Sequence, residues 1–219
     1  MANRLKVRMR KSFTLLLAAG LLAGCGSAPP ISWREAATQS HPWGYYTGAP
    51  ETRWNPDGRS MTLLRELRYT DPQGNVWIAP AGSVVDGASI PRSLWPFMGG
   101  PFVGKYRNAS VLHDVSYDQH DRPPQDCDRM FYNAMRCSGV GPVEAKSMYY
   151  ALLRFGRHWD FSIKRAKPVK IGRKLVARAQ PAAPVTAAAE QEIEGVQDWI
   201  RKSEPSVEQI EQIAATGMR

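Results

Sequence analysis

The stretch that most constrains this chain is Ala109-Ser110-Val111-Leu112-His113-Asp114-Val115-Ser116-Tyr117, followed closely by Gln125-Asp126-Cys127-Asp128-Arg129. Side chains three and four apart share one face of a helix, so Tyr117 stands one turn beyond His113. Val111, Leu112 and Val115 then fall on a flank that packs inward. Asp121-Arg122-Pro123-Pro124 must interrupt that helix, because proline lacks an N–H and clashes with the preceding turn. Proline is accepted in a first turn, so a second helix starts there and runs through Met130, Phe131 and Met135. So short a connection favours an antiparallel pair, which returns Asp128 toward His113. A histidine met by a carboxylate in this way suits a general base with an orienting partner.

Residues 1–24 read as a targeting segment and are set apart from the fold. Arg4, Lys6, Arg8, Arg10 and Lys11 precede an apolar run from Phe13 to Ala23, shorter than the roughly 20 residues that span a bilayer. The run ends in Leu22-Ala23-Gly24-Cys25, which resembles a bacterial lipoprotein lipobox. That resemblance implies cleavage before Cys25, lipid attachment to its thiol, and a membrane-anchored protein of the cell envelope. Gly26 stands where an aspartate would favour inner-membrane retention, so the expected site is the outer membrane, facing the periplasm. The chain carries 29 basic and 20 acidic residues, +9; without the five basic residues of the segment, 24 against 20 leaves +4. Most of the basicity therefore belongs to export, and a nucleic-acid partner is not expected.

The rest of the chain divides by composition. Residues 25–60 form a tether and an aromatic-rich segment with Trp33, Trp43, Tyr45, Tyr46 and Trp54, which either pack on the domain or mark a glycan-binding surface. Residues 61–163 are the expected core domain. Met61 to Thr70 reads as one strand, Asp71-Pro72-Gln73-Gly74-Asn75 as a turn, and Val76-Trp77-Ile78 as its hairpin partner. Ser83-Val84-Val85 adds a third short strand that ends at Asp86-Gly87. Val143 to Phe155 is an amphipathic third helix expected to cover the helix pair. Residues 164–219 hold a basic run, an Ala/Pro linker over 177–189 and two short helical segments, expected as a flexible tail. The basic run is either a solvated surface or a contact for anionic headgroups. Cys127 and Cys137 pair only if the second helix ends before Cys137, since ten residues of helix rise about 15 Å. The expected fold is α+β: a small antiparallel hairpin or sheet, then a three-helix core containing an antiparallel pair.

Two resemblances bear on function. Val85-Asp86-Gly87-Ala88-Ser89-Ile90-Pro91-Arg92, Trp95-Pro96, Leu112-His113-Asp114 with Tyr117, and Asp128 with Phe131 resemble domain-of-unknown-function family 1353, found in tailed-phage genomes and bacterial chromosomes. That likeness spans roughly Leu63 to Trp159 and implies no activity. More locally, His113-Asp114-x-x-Tyr117 followed by Cys127-Asp128-Arg129 is similar to the active-site helices of secreted phospholipase A2. The likeness implies His113 as general base for a water, Asp128 as its orienting carboxylate held by Tyr117, and Asp114 as a calcium ligand. It departs from that family at Ala109, Ser110 and Ser116, which stand where cysteines are found, and Gly99-Gly100-Pro101 only loosely replaces a calcium loop.

The leading expectation is thus a lipid-anchored, phospholipase A2-like esterase acting on a lipid ester. An alternative is a metal-dependent hydrolase of a cell-wall bond, with Asp86, His113, Asp114 and Asp128 around zinc or manganese. A third is a non-enzymatic envelope or phage-related binding lipoprotein, in which the His–Asp pair fixes helix packing. Asp86 weighs toward a site, because an acidic residue in a glycine-containing turn is costly to bury.

Overall fold

In a computed structural model of the chain, the described residues are 42–87, 100, 102–161 and 186–217. Residues 1–24, Cys25, Trp33, most of the Asp-Gly-Ala-Ser-Ile-Pro string beyond Gly87, and the basic run after Lys164 lie outside them. Among the described residues no helix is long and apolar enough to cross a membrane.

Among the described residues six short strands come first: β1 Tyr45–Thr47, β2 Thr52–Trp54, β3 Met61–Leu63, β4 Leu67–Thr70, β5 Val76–Ala79 and β6 Val84–Val85. They form two antiparallel three-stranded sheets, ordered β1-β4-β5 and β2-β3-β6. The β4–β5 hairpin is the expected one, and its turn is built by Asp71. Asp71 Oδ1 accepts from the backbone N–H groups of Gln73 and Asn75, while Oδ2 accepts from Asn75 and from the indole of Trp77. A short acidic side chain that satisfies its own turn in this way pins the hairpin register. Tyr46, Tyr69 and Trp77 stand side by side across the three strands. All three are buried, whereas Val76 and Ile78 alternate outward, the period of two that a half-buried sheet requires.

The expected single strand over Met61–Thr70 breaks into β3 and β4, which join different sheets. Leu63 and Leu64 are adjacent and cannot both face inward on a pleated strand; Leu63 is buried and Leu64 is 49% exposed. β6 likewise pairs with β3 rather than extending the hairpin, setting Val85 opposite Met61. Gly44, at φ +80, admits no side chain, since a Cβ there would lie 2.1 Å from the Thr70 carbonyl oxygen.

Among the described residues five helices follow: α1 Arg107–Gln119, α2 Pro124–Cys137, α3 Pro142–Phe155, α4 Ala187–Ser203 and α5 Val207–Thr216. Proline opens both α2 and α3, where its missing N–H costs nothing. The helix α1 ends at His120 in the left-handed conformation, φ 52. It packs on α2 and on β4, β5 and β6, so it lies between sheets and helices. All nine residues from Ala109 to Tyr117 are buried as a result. A helix covered all round needs its polar groups satisfied locally, and the Ser110 and Ser116 hydroxyls donate to the carbonyls one turn back.

The helix α3 packs on α2, which is the member of the pair it covers. It also receives α4 and α5, which corrects the expected flexible tail for residues 187–216. Ala189, Ile193, Val196 and Ile200 recur at helical spacing and are all buried, as are Ile210 and Ala214. Polar ties accompany the packing: Arg129 bridges to Glu208 and Glu211, Tyr149 donates to Glu211, and Tyr150 donates to Glu192. Neither helix has the apolar surface to fold alone, but α3 supplies the missing face. Cys127 and Cys137 are both free thiols, as the unbroken α2 requires. Burial raises both thiols, that of Cys137 to about 11, so neither is a ready thiolate.

Candidate functional site

The antiparallel α1–α2 pair brings three of the expected residues together. His113 Nε2 lies 2.8 Å from Asp128 Oδ1, and the Tyr117 hydroxyl donates to the same oxygen at 2.6 Å. His113 and Asp128 are 0% exposed and Tyr117 2%. Ring contacts hold the imidazole in place: Tyr117 packs on it at 4.1 Å between centroids, and Phe131 of α2 at 4.9 Å. Burial first, and then the Asp128 charge and hydrogen bond, push the Tyr117 phenol well above its ordinary value. Tyr117 is therefore a donor at any physiological pH. A carboxylate at Nε2 orients the imidazole ring. Asp128 Oδ2 is buried with no hydrogen-bond partner among the described residues.

Asp114 follows His113 on the helix but points elsewhere. Its Oδ2 accepts the backbone N–H of Gly87 at 2.5 Å, and the side chain is 6% exposed. Asp86, the neighbour of Gly87, pairs through Oδ2 with Arg59 Nη2 at 2.6 Å. Its side chain is 34% exposed, so the argument from a costly burial does not apply to it. Among the described residues Asp86 and Asp114 are linked through one turn of backbone, and His113 pairs with Asp128. Among the described residues no group of three or more His, Cys, Asp and Glu side chains is placed to hold a metal ion. Asp86 Oδ2 is already paired with a guanidinium and Asp114 Oδ2 with a peptide N–H.

Sequence reasoning missed the residues that border the dyad. Trp159, beyond the end of α3, packs edge-on against Tyr117 at 4.9 Å and against His120 at 4.4 Å. Arg157, two residues before it, is close enough for its charge to act on the Tyr117 phenol. No local pattern announces such contacts, because they join a loop after α3 to the C-terminal end of α1. Arg59 was equally silent, being one basic residue in a polar turn.

Residues 61–152 match the model of a family described as "Protein of unknown function (DUF1353)". Two proteins of Sinorhizobium fredii (strain NBRC 101917 / NGR234) are similar to this chain. "Uncharacterized protein y4jT" is 35% identical over 164 residues, 72% of this chain and 47% of that protein. "Uncharacterized protein y4iH" is 36% identical over 113 residues, 51% of this chain and 47% of that protein. The chain thus spans about half the length of the curated relatives it matches. No solved structure matches it. The matched region runs from β3 into α3 and contains the whole His113–Asp128–Tyr117 cluster, so the part of the chain that builds the candidate site is the part that matches the DUF1353 family model.

Proposed function

We propose that this chain is a lipid-anchored envelope protein with a histidine-based hydrolase site, using His113 to activate water against an ester bond of a lipid. One observation carries the reading: a single buried oxygen of Asp128 holds both His113 Nε2 and the Tyr117 hydroxyl. Such an arrangement orients an imidazole and stabilises the imidazolium that forms when it takes a proton. In the proposed step the His113 imidazole takes a proton from water as the water oxygen attacks the ester carbonyl. The imidazolium then returns that proton to the leaving alkoxide. Tyr117, kept protonated, holds Asp128 in position throughout. Asp114 is the side chain that would bind calcium, or zinc or manganese in the alternative, after giving up its bond to Gly87. No step here passes through a metal.

A second reading is favoured by burial. His113 and Asp128 are both fully enclosed, which also suits a polar clasp that fixes the register of α1 on α2 in a non-enzymatic binding lipoprotein. Fatty-acid release from mixed phospholipid micelles decides between them, measured on the full chain with calcium, zinc, manganese or chelator. The hydrolase reading expects turnover that Asp128→Asn lowers on the order of a hundredfold or more. Absence of turnover under every condition, with the chain folded, overturns it in favour of the clasp.

A further inference from the structure

We propose that Arg157 and Trp159 form a phosphate-binding subsite on the Tyr117 side of the dyad. The starting point is an accounting of buried polar atoms. Arg157 Nε and Trp159 Nε1 are buried N–H donors that have no hydrogen-bond partner among the described residues. Trp159 is only 4% exposed as a whole residue. A buried donor left unpaired loses its hydration without recompense, so two of them two residues apart mark a place where an acceptor belongs.

The surroundings say what kind of acceptor fits. The Trp159 ring is locked edge-on against Tyr117 and His120, which fixes the direction of its N–H. Arg157 is half-buried, with the Nε of its guanidinium enclosed. Together with the indole this is a set of donors with no acceptor among them, and it carries a positive charge. A guanidinium with an added indole N–H is a positively charged set of donors that suits the oxygens of a phosphate, for which arginine's planar fork is well matched. The charge of Arg157 reaches the Tyr117 phenol. The Trp159 ring touches Tyr117, which in turn packs on His113, so the subsite borders the dyad through Tyr117. The subsite does not depend on His113 acting as a base, since it is a binding site whether or not the dyad is catalytic.

The test is thermal unfolding of the full chain at constant ionic strength, with chloride replaced stepwise by inorganic phosphate. A ligand that binds only the folded state raises Tm with concentration, and a rise of several degrees at tens of millimolar phosphate is expected. Trp159→Phe keeps an aromatic ring against Tyr117 and removes the N–H; Arg157→Gln removes the charge and the fork. Both variants should lose the phosphate-dependent rise, and if one of them fails to fold the other still decides. The same titration with monomeric dihexanoylphosphatidylglycerol identifies the source: a rise with the lipid alone assigns the site to a headgroup, a rise with inorganic phosphate alone to a free anion, and a rise with both to either. No rise with either probe in the native chain overturns the proposal, and so does a rise that survives in both variants. Because the readout is Tm rather than turnover, failure here is distinct from failure of the hydrolase reading.

Discussion

Replacing His113 by Asn removes one partner of the dyad while leaving the charge of the other. In the native chain Asp128 is fully buried; Oδ1 takes bonds from His113 and Tyr117, and Oδ2 takes none among the described residues. The substitution leaves that carboxylate with a single donor, Tyr117, in a dry setting. Stranding a buried charge in this way costs roughly 3–5 kcal/mol, well above the about 1 kcal/mol of an ordinary hydrogen bond. Each kcal/mol corresponds to about 2–4 °C for a chain of this size, so Tm should fall by roughly 6–20 °C. The double variant His113→Asn/Asp128→Asn makes the argument sharp, because it removes the stranded charge as well. The ring contacts of His113 with Tyr117 and Phe131 are lost in both and cancel in the comparison. The double loss should therefore be smaller than the sum of the single losses by on the order of 2 kcal/mol. Urea unfolding of the native chain, the two single variants and the double variant, at equal m-values, measures this coupling. Additivity within about 0.5 kcal/mol refutes the view that His113 supports a buried, charged Asp128.

Three further outcomes are expected. Truncation before Ala187 removes α4 and α5 and uncovers α3, taking with it the burial of Ile193, Val196, Ile200 and Ile210, each worth about 1.5–3 kcal/mol; Tm should drop by well over 10 °C, and an unchanged melt would show that the two helices do not dock. Asp57 accepts from the Ser60 hydroxyl and the backbone N–H groups of Arg59 and Ser60, bonds that lower its carboxyl to about 2, the Ser60 hydroxyl first. Its contribution to the turn before β3 is thus complete above the usual carboxylate range and is lost as pH falls through about 2; a carbon-detected titration should find this low midpoint and Ser60→Ala should raise it, while a midpoint near 4 in the native chain contradicts the geometry. Cys25→Ser should leave the precursor unprocessed or mislocalised, and unchanged processing and fractionation would end the lipoprotein reading.

How much of this was legible depended on whether the cause was local. The α1–α2 hairpin was readable because Pro123 and Pro124 fix where one helix stops and the next begins, and the Asp71 turn because a short acidic side chain builds its own hairpin. The meeting of His113, Tyr117 and Asp128 followed from helical spacing plus that short connection. Strand pairing was less legible: nothing near Leu64 says that β3 and β4 part company, since the choice between sheets rests on β2 and β6, well separated from each other in sequence. The docking of α4 and α5 was hidden for another reason. The apolar stripe from Ala189 to Ile200 is visible, but an Ala/Pro stretch before it argues for detachment, and only the exposed face of α3 decides otherwise. Trp159 and Arg157 carry no motif at all, and their place beside Tyr117 depends on where α3 ends.

The separation of His113 from Asp114 is the point at which sequence and structure differ most in meaning. Read as a string, His113-Asp114 suggests one shared centre, with Asp86 joining it. On a helix, adjacent residues lie about 100° apart, so they serve different neighbours. His113 turns to α2 and Asp128, whereas Asp114 turns to the end of β6 and holds the Gly87 N–H. Arg59, just before β3, holds Asp86 from the other side. The turn at Asp86–Gly87 is thereby tied at both of its residues, to the second sheet and to the central helix. The chain that leaves Gly87 therefore departs from a fixed point one helix residue away from His113. On this argument Asp114 governs where that departing segment begins, and Asp128 governs the state of the imidazole. Changes at the two aspartates should then act independently, even though both lie within reach of the same histidine in sequence.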